Sequence, residues 1–270
     1  MTTLFYFIVR LSLIVRTTLK NEMRILSILI LVLLCNFIST AQHKAGISKN
    51  KFAFADVAAT IGNSQGSVAA SYVYNWKFGF SKKKKWDAGL GARLTSTVGN
   101  KLSYITAGPA KFTRSSTTPF LIVFAGQQTE NWDTLTIQNS FLNAFNISAN
   151  LGYRLTSNWS IGFNIDLIGF SIGKTSPAVF VSNGTSFTEP SAKPTSFNVL
   201  LTGDHDRGSL NSEFFAKYSL NEQWAVRAVY QFLFTEYKTA NVKQNLPDGS
   251  TINRFRNKAN NFGLGVSYQL

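Results

Sequence analysis

Apolar and polar side chains alternate along most of this chain with a period of two, the spacing of a β-strand that hides one face and shows the other. Val68–Phe80 sets Val68, Ala70, Tyr72, Tyr74, Trp76 and Phe78 against Ser71, Asn75, Lys77 and Gly79. Segments 86–98, 143–156, 210–220 and 224–235 repeat the pattern. The final segment is the most regular, with Phe262, Leu264, Val266, Tyr268 and Leu270 against Asn261, Gly263, Gly265, Ser267 and Gln269. In 159–170 the apolar face of Trp159, Ile161, Phe163, Ile165 and Leu167 loses phase at Ile168-Gly169-Phe170, which predicts a β-bulge. Segments 51–61, 101–112 and 118–127 alternate less regularly and are read as strands too. The count is then ten, with eight or twelve also compatible, and an even count returns both ends of the sheet to one side.

Alternation alone also fits a soluble sandwich, and the turns separate the two. Phe80 and Trp86, Tyr153 and Trp159, and Tyr218 and Trp224 each bracket a short polar turn at one common spacing. That even spacing keeps both aromatics in phase with the apolar face of their strands. Aligned at one end of a sheet, they predict an aromatic girdle at a membrane–water boundary, whereas a sandwich would bury them. The opposite connections, roughly 128–139, 173–208 and 238–258, are longer and rich in Asn, Thr, Ser, Lys, Pro and Gly. Short turns at one end and long loops at the other predict an all-β chain folded as a transmembrane antiparallel up-and-down β-barrel.

Composition agrees. Charged residues are 15%, below the roughly 25% of soluble proteins, while aromatics reach 14%. The formal net charge is +14. Two apolar stretches near the start, Leu4–Val15 and Ile25–Leu34, are shorter than the roughly 20 residues of a spanning helix. The second reads as a signal peptide over 23–41, with Arg24 before the apolar run and Ser39-Thr40-Ala41 as the cleavage site. Residues 1–22 then read as an upstream extension from a misassigned start, with a signal anchor built on both stretches as the alternative. Cys35 lies in the leader and follows Leu34, where a lipoprotein needs a small residue; the barrel, 42–270, contains no cysteine for a disulfide. With this leader, alternation, girdle and terminal strand, residues 42–270 resemble the small outer-membrane β-barrel proteins of Gram-negative bacteria. The resemblance implies an outer-membrane location, loops outside, contact with outer-membrane lipid and lipopolysaccharide, and insertion by the barrel assembly machinery. Such barrels more often end in Phe, and Leu270 departs from that.

A barrel this small is narrow and filled by side chains. The inward face predicted by the alternation carries Lys77, Asp87, Arg93, Arg154, Asp166, Glu213, Lys217 and Arg227. Mixed signs in a narrow lumen should pair, because an unpaired buried charge is costly. The expected role is structural or surface-binding and non-enzymatic, with a polar plug in the lumen. A narrow pore for small solutes is one alternative. A hydrolase at the rim is another, built on Gly203-Asp204-His205-Asp206, which also reads as a solvated turn. Lys238, Lys243, Arg254, Arg256 and Lys258 form a basic set suited to an anionic surface. No catalytic, metal-binding or cofactor residue is assigned, no nucleic-acid motif is present, and nothing in the chain speaks to oligomeric state.

Overall fold

The computed structural model describes residues 50–79, 84–115, 128, 132–201 and 206–270. The leader read at 23–41, the strand read at 118–127, Phe80 and the rim residues 203–205 lie outside them. The wall begins with β1 (Lys51–Gly62), β2 (Gln65–Phe78) and β3 (Trp86–Thr106). After a one-turn helix α1 (Ala110–Thr113) come β4 (Thr134–Arg154) and β5 (Trp159–Gly173). Three shorter strands follow: β6 (Ser176–Ser182), β7 (Thr185–Pro194) and β8 (Phe197–Val199). Then come β9 (Leu210–Ser219), β10 (Trp224–Lys238), a small hairpin of β11 (Gln244–Asn245) and β12 (Thr251–Ile252), and β13 (Arg254–Gln269).

All pairings are antiparallel. β1, β2, β3, β4, β5, β9, β10 and β13 pair in that order, and β13 pairs back onto β1, with Val57 opposite Val266. The sheet therefore closes and leaves no edge, which satisfies every strand's backbone groups without water. Of the counts the alternation allowed, the closed wall has eight long strands rather than ten. Segment 101–112 is not a separate strand: β3 runs on to Thr106, still paired with β4 at Ile105–Thr134, and 110–113 is the helix. The alternation misled there because the side chains change face at Gly99–Lys101, where Lys101 adopts a φ of 51° while the pairing continues. The connections read at 128–139, 173–208 and 238–258 likewise contain the start of β4, all of β6 to β8, and the start of β13. In β5 the extra residue is Leu167, since Ile168 lies opposite Ile147 and Asp166 opposite Ser148. This bulge keeps Trp159 and Ile161 outside before it and Ile168, Phe170 and Ile172 outside after it.

β3 and β4 are each 21 residues long, roughly 70 Å of chain, about twice what a spanning strand requires. Their upper halves belong to a second closed ring. The Asn63-Ser64 turn ends the β1–β2 hairpin early, and above it β13 pairs directly with β3 at Phe255–Thr106 and Arg256–Ile105. On the other side β6 pairs with β4, β7 with β6, and β10 with β7, replacing β5 and β9. Six strands thus continue where eight began, and the narrower ring is filled by an apolar core that includes Leu102, Tyr104, Leu135, Ile137, Phe180, Tyr237 and Phe255. Tyr104 and Tyr237 meet at 5.2 Å between ring centroids, and the Tyr237 hydroxyl bonds to the backbone of Phe141. Below this core the lumen is polar, and the wall's outer surface is apolar: Leu264, Ile61 and Phe262 are 74, 73 and 65% exposed.

Candidate functional site

The strands bring charged residues from five places in the sequence to one level of the lumen. β10 points Arg227 inward, where it donates to Asp56 of β1 and, at 3.1 Å, to Glu213 of β9. Arg93 of β3 lies 3.4 Å from Asp166 of β5 and 4.0 Å from Glu213. The order Asp56–Arg227–Glu213–Arg93–Asp166 spans the lumen, and all five residues are at most 3% exposed. Neutral partners occupy further lone pairs. Asn146 and the Asn211 amide donate to Asp166 at 2.7 and 3.0 Å, and Asn211 and Asn164 donate to Glu213 at 3.1 and 3.4 Å. Arg227 lies 4.2 Å above the Phe215 ring. The network has three acids and two arginines, so removing an arginine leaves it far less balanced than removing an acid.

Four of the predicted interior residues, Arg93, Asp166, Glu213 and Arg227, meet in this network. The other four lie towards the short-turn end. Lys217 sits 4.6 Å from the Phe54 ring and Lys77 5.1 Å from that of Phe52. Asp87 accepts from Asn75, and Arg154 is exposed at the mouth. Asp87, Arg154 and Lys217 help line an open cavity of about 420 Å³ at this end. Asp56 was not singled out from the sequence. The signal was there: Phe52, Phe54, Asp56, Ala58 and Thr60 form the inward set of β1, but an apolar inward pair disguised the phase.

A second set of side chains crosses the lumen above this network. Gln231 accepts from Thr60, Ser67 and Asn261 at 2.6, 2.9 and 2.8 Å, tying β10 to β1, β2 and β13. The apolar core of the narrow ring lies above that layer. In the long-loop region Glu189 of β7 accepts from the amides of Ser191, Asn241 and Val242 and from the Asn241 and Ser191 side chains, at 2.8–3.1 Å. Burial alone would raise its pKa, but these donors outweigh that and hold it at about 2. Of the rim cluster, only Asp206 is described, and it accepts from the Leu201 amide at 2.7 Å.

The predicted girdle residues within the described chain gather at the short-turn end, with a pairing the sequence does not show. Trp86 lies opposite Tyr153, Trp159 opposite Tyr218, and Trp224 opposite Tyr268, at 4.7, 5.0 and 4.8 Å between ring centroids. Each Trp packs on the Tyr of the neighbouring strand, and Trp86 also stacks on Phe78 across its turn at 6.5 Å; across the next turn Tyr153 faces Ile161. The three Trp rings are 41–47% exposed on the outer surface.

No family model and no curated protein matches the chain. Among solved structures it is similar to Ail, the attachment invasion locus protein of Yersinia pestis, in complex with the heparin analogue sucrose octasulfate. The identity is 11%, covering 83% of this chain and all of that one, at a TM-score of 0.32. Neisserial surface protein A gives 10% identity over 82% of this chain and 97% of that one, at 0.33. The outer membrane protein OprG of Pseudomonas aeruginosa gives 12% over 83% and 98%, at 0.36. Scores this low carry no inference about activity. Closed, antiparallel and apolar outside, with paired aromatics at one end, the chain has by its own geometry the form of a transmembrane β-barrel.

Proposed function

We propose that this is a non-conducting, non-enzymatic outer-membrane barrel that holds a rigid six-stranded ring above the membrane as a surface for binding. One observation carries the reading: the eight-stranded lumen is crossed by a buried charge network and then topped by a separately closed ring with its own apolar core. A solute path would have to break both layers. In this reading the girdle end faces the periplasm, where Lys51 and Gln269, the two ends of the wall, lie together. The ring stands outside, export uses the segment 23–41, and the terminal strand β13 is the element offered to the assembly machinery. The ring's basic loops face lipopolysaccharide. Planar-bilayer recording of the refolded protein tests the plug: no stepwise current is expected, and steady single-channel steps would refute it.

A further inference from the structure

We propose that the outer wall of the narrow ring binds the phosphate groups of an anionic glycolipid of the outer leaflet through Lys193, Lys238 and Arg254. The inference rests on the reading above that this wall rises from the outer leaflet.

The strand register assembles the site. β7 places Lys193 opposite Lys238 of β10, and β10 places Lys238 opposite Arg254 of β13. Directly opposite residues share a face, with Cβ atoms about 4.5–5.5 Å apart, and like charges so placed repel. At this level Ala192, Pro194, Tyr237 and Phe255 take the buried inner face, so the three cations lie side by side on the outer one. The nearby acids are engaged elsewhere or shared. Glu236 receives Arg254 at 3.2 Å and Arg256 at 3.0 Å, Asp248 receives Lys111 at 3.0 Å, and Glu189 is held by the 241–242 amides. Among the described residues neither Lys193 nor Lys238 makes an ion pair. A row of like charges fixed by three paired strands costs stability unless an anion bridges it.

The chemistry of that anion follows from what lies below. On β10 the outer face runs from Lys238 past the buried Glu236 to Phe234 and Phe232, and on β13 from Arg254 past Arg256 and Lys258, which lie over the Phe234 ring, to Phe262 and Leu264. Lys238 stands four residues above Phe234, roughly 13 Å along the strand. This wall thus offers cations above and, beyond Arg256 and Lys258, apolar rings beneath, matching an amphiphile with phosphates on its headgroup. A soluble polyanion would use only the upper part.

The test compares the full chain with K193Q/K238Q and, as a charge-matched control at the girdle end, K51Q/K84Q. The probe is diphosphorylated lipid A. In native mass spectrometry the wild type and the control should retain it, and K193Q/K238Q should bind about 30-fold more weakly, as the loss of two cations beside anionic lipid implies. Thermal unfolding supplies a second readout. In zwitterionic micelles without glycolipid, K193Q/K238Q should unfold at a higher temperature than wild type, because the repulsion is relieved. With lipid A present the order should reverse. A merely structural row gives no such reversal. Equal lipid A binding by the variant, a lower unfolding temperature in both conditions, or wild-type binding of inositol hexakisphosphate as tight as that of lipid A would each overturn the proposal. Conductance is recorded on the same samples. A silent barrel that ignores lipid A overturns this site alone, whereas a conducting barrel overturns the parent reading and leaves the site to the binding data.

Discussion

Arg227 is the residue whose removal most disturbs the lumen. In the native network it serves Asp56, for which it is the only side-chain hydrogen-bond donor among the described residues, and Glu213, which retains Arg93, Asn211 and Asn164. Arg227→Met keeps much of the volume but leaves three acids facing one arginine, with Asp56 stranded at 3% exposure. Breaking a buried pair in this way costs about 3–5 kcal/mol, because a desolvated charge loses its compensation. Loss of the contact with the Phe215 ring adds about 1 kcal/mol. The triple variant Asp56→Asn, Glu213→Gln, Arg227→Met leaves one acid, Asp166, with one arginine, Arg93, and should recover more than half of that loss. The measurement is urea unfolding of the vesicle-embedded barrel followed by Trp fluorescence and extrapolated to water. A loss below about 1 kcal/mol in the single variant, or a triple variant no more stable than the single one, would show that the network does not bear on stability in the way the geometry implies.

Three further outcomes follow from other parts of the molecule. Glu189, held at about 2, lies below its ordinary value of 4.5, so its anchoring of residues 241 and 242 is fully present above 4.5 and is lost as pH falls towards 2. Hydrogen exchange at the Asn241 and Val242 amides should stay slow from pH 7 to 5 and accelerate relative to intrinsic rates below 4.5, while Glu189→Gln should accelerate it at pH 7. A double-mutant cycle of Trp159→Ala and Tyr218→Ala should give a coupling of about 1 kcal/mol, and a cycle of Trp159→Ala with Tyr268→Ala should give none. Gly263→Ala places a methyl group 1.9 Å from the Ala59 carbonyl oxygen at the β1–β13 seam; closure should be impaired, seen as loss of the fast-migrating band of unboiled protein in SDS gels.

The alternation in 68–78, 143–154 and 262–269 by itself determined that these segments are strands, which side chains face outward and which face the lumen, and where the Trp-bearing turns lie. Those properties are local, because a period of two assigns a face to each residue whatever its neighbours. Which strand lies beside which, and in what register, was decided only by tertiary structure. Phase is also lost where the backbone turns its faces over, so the change of face at Gly99–Lys101 hid the continuation of β3 and with it the second ring. Asp56 meets Arg227 across 171 positions of sequence, and Trp159 finds Tyr218 on a strand that is not its neighbour in sequence. Pairing is a contest among whole strands for backbone partners, settled when the sheet closes, and alternation along one strand carries no record of it.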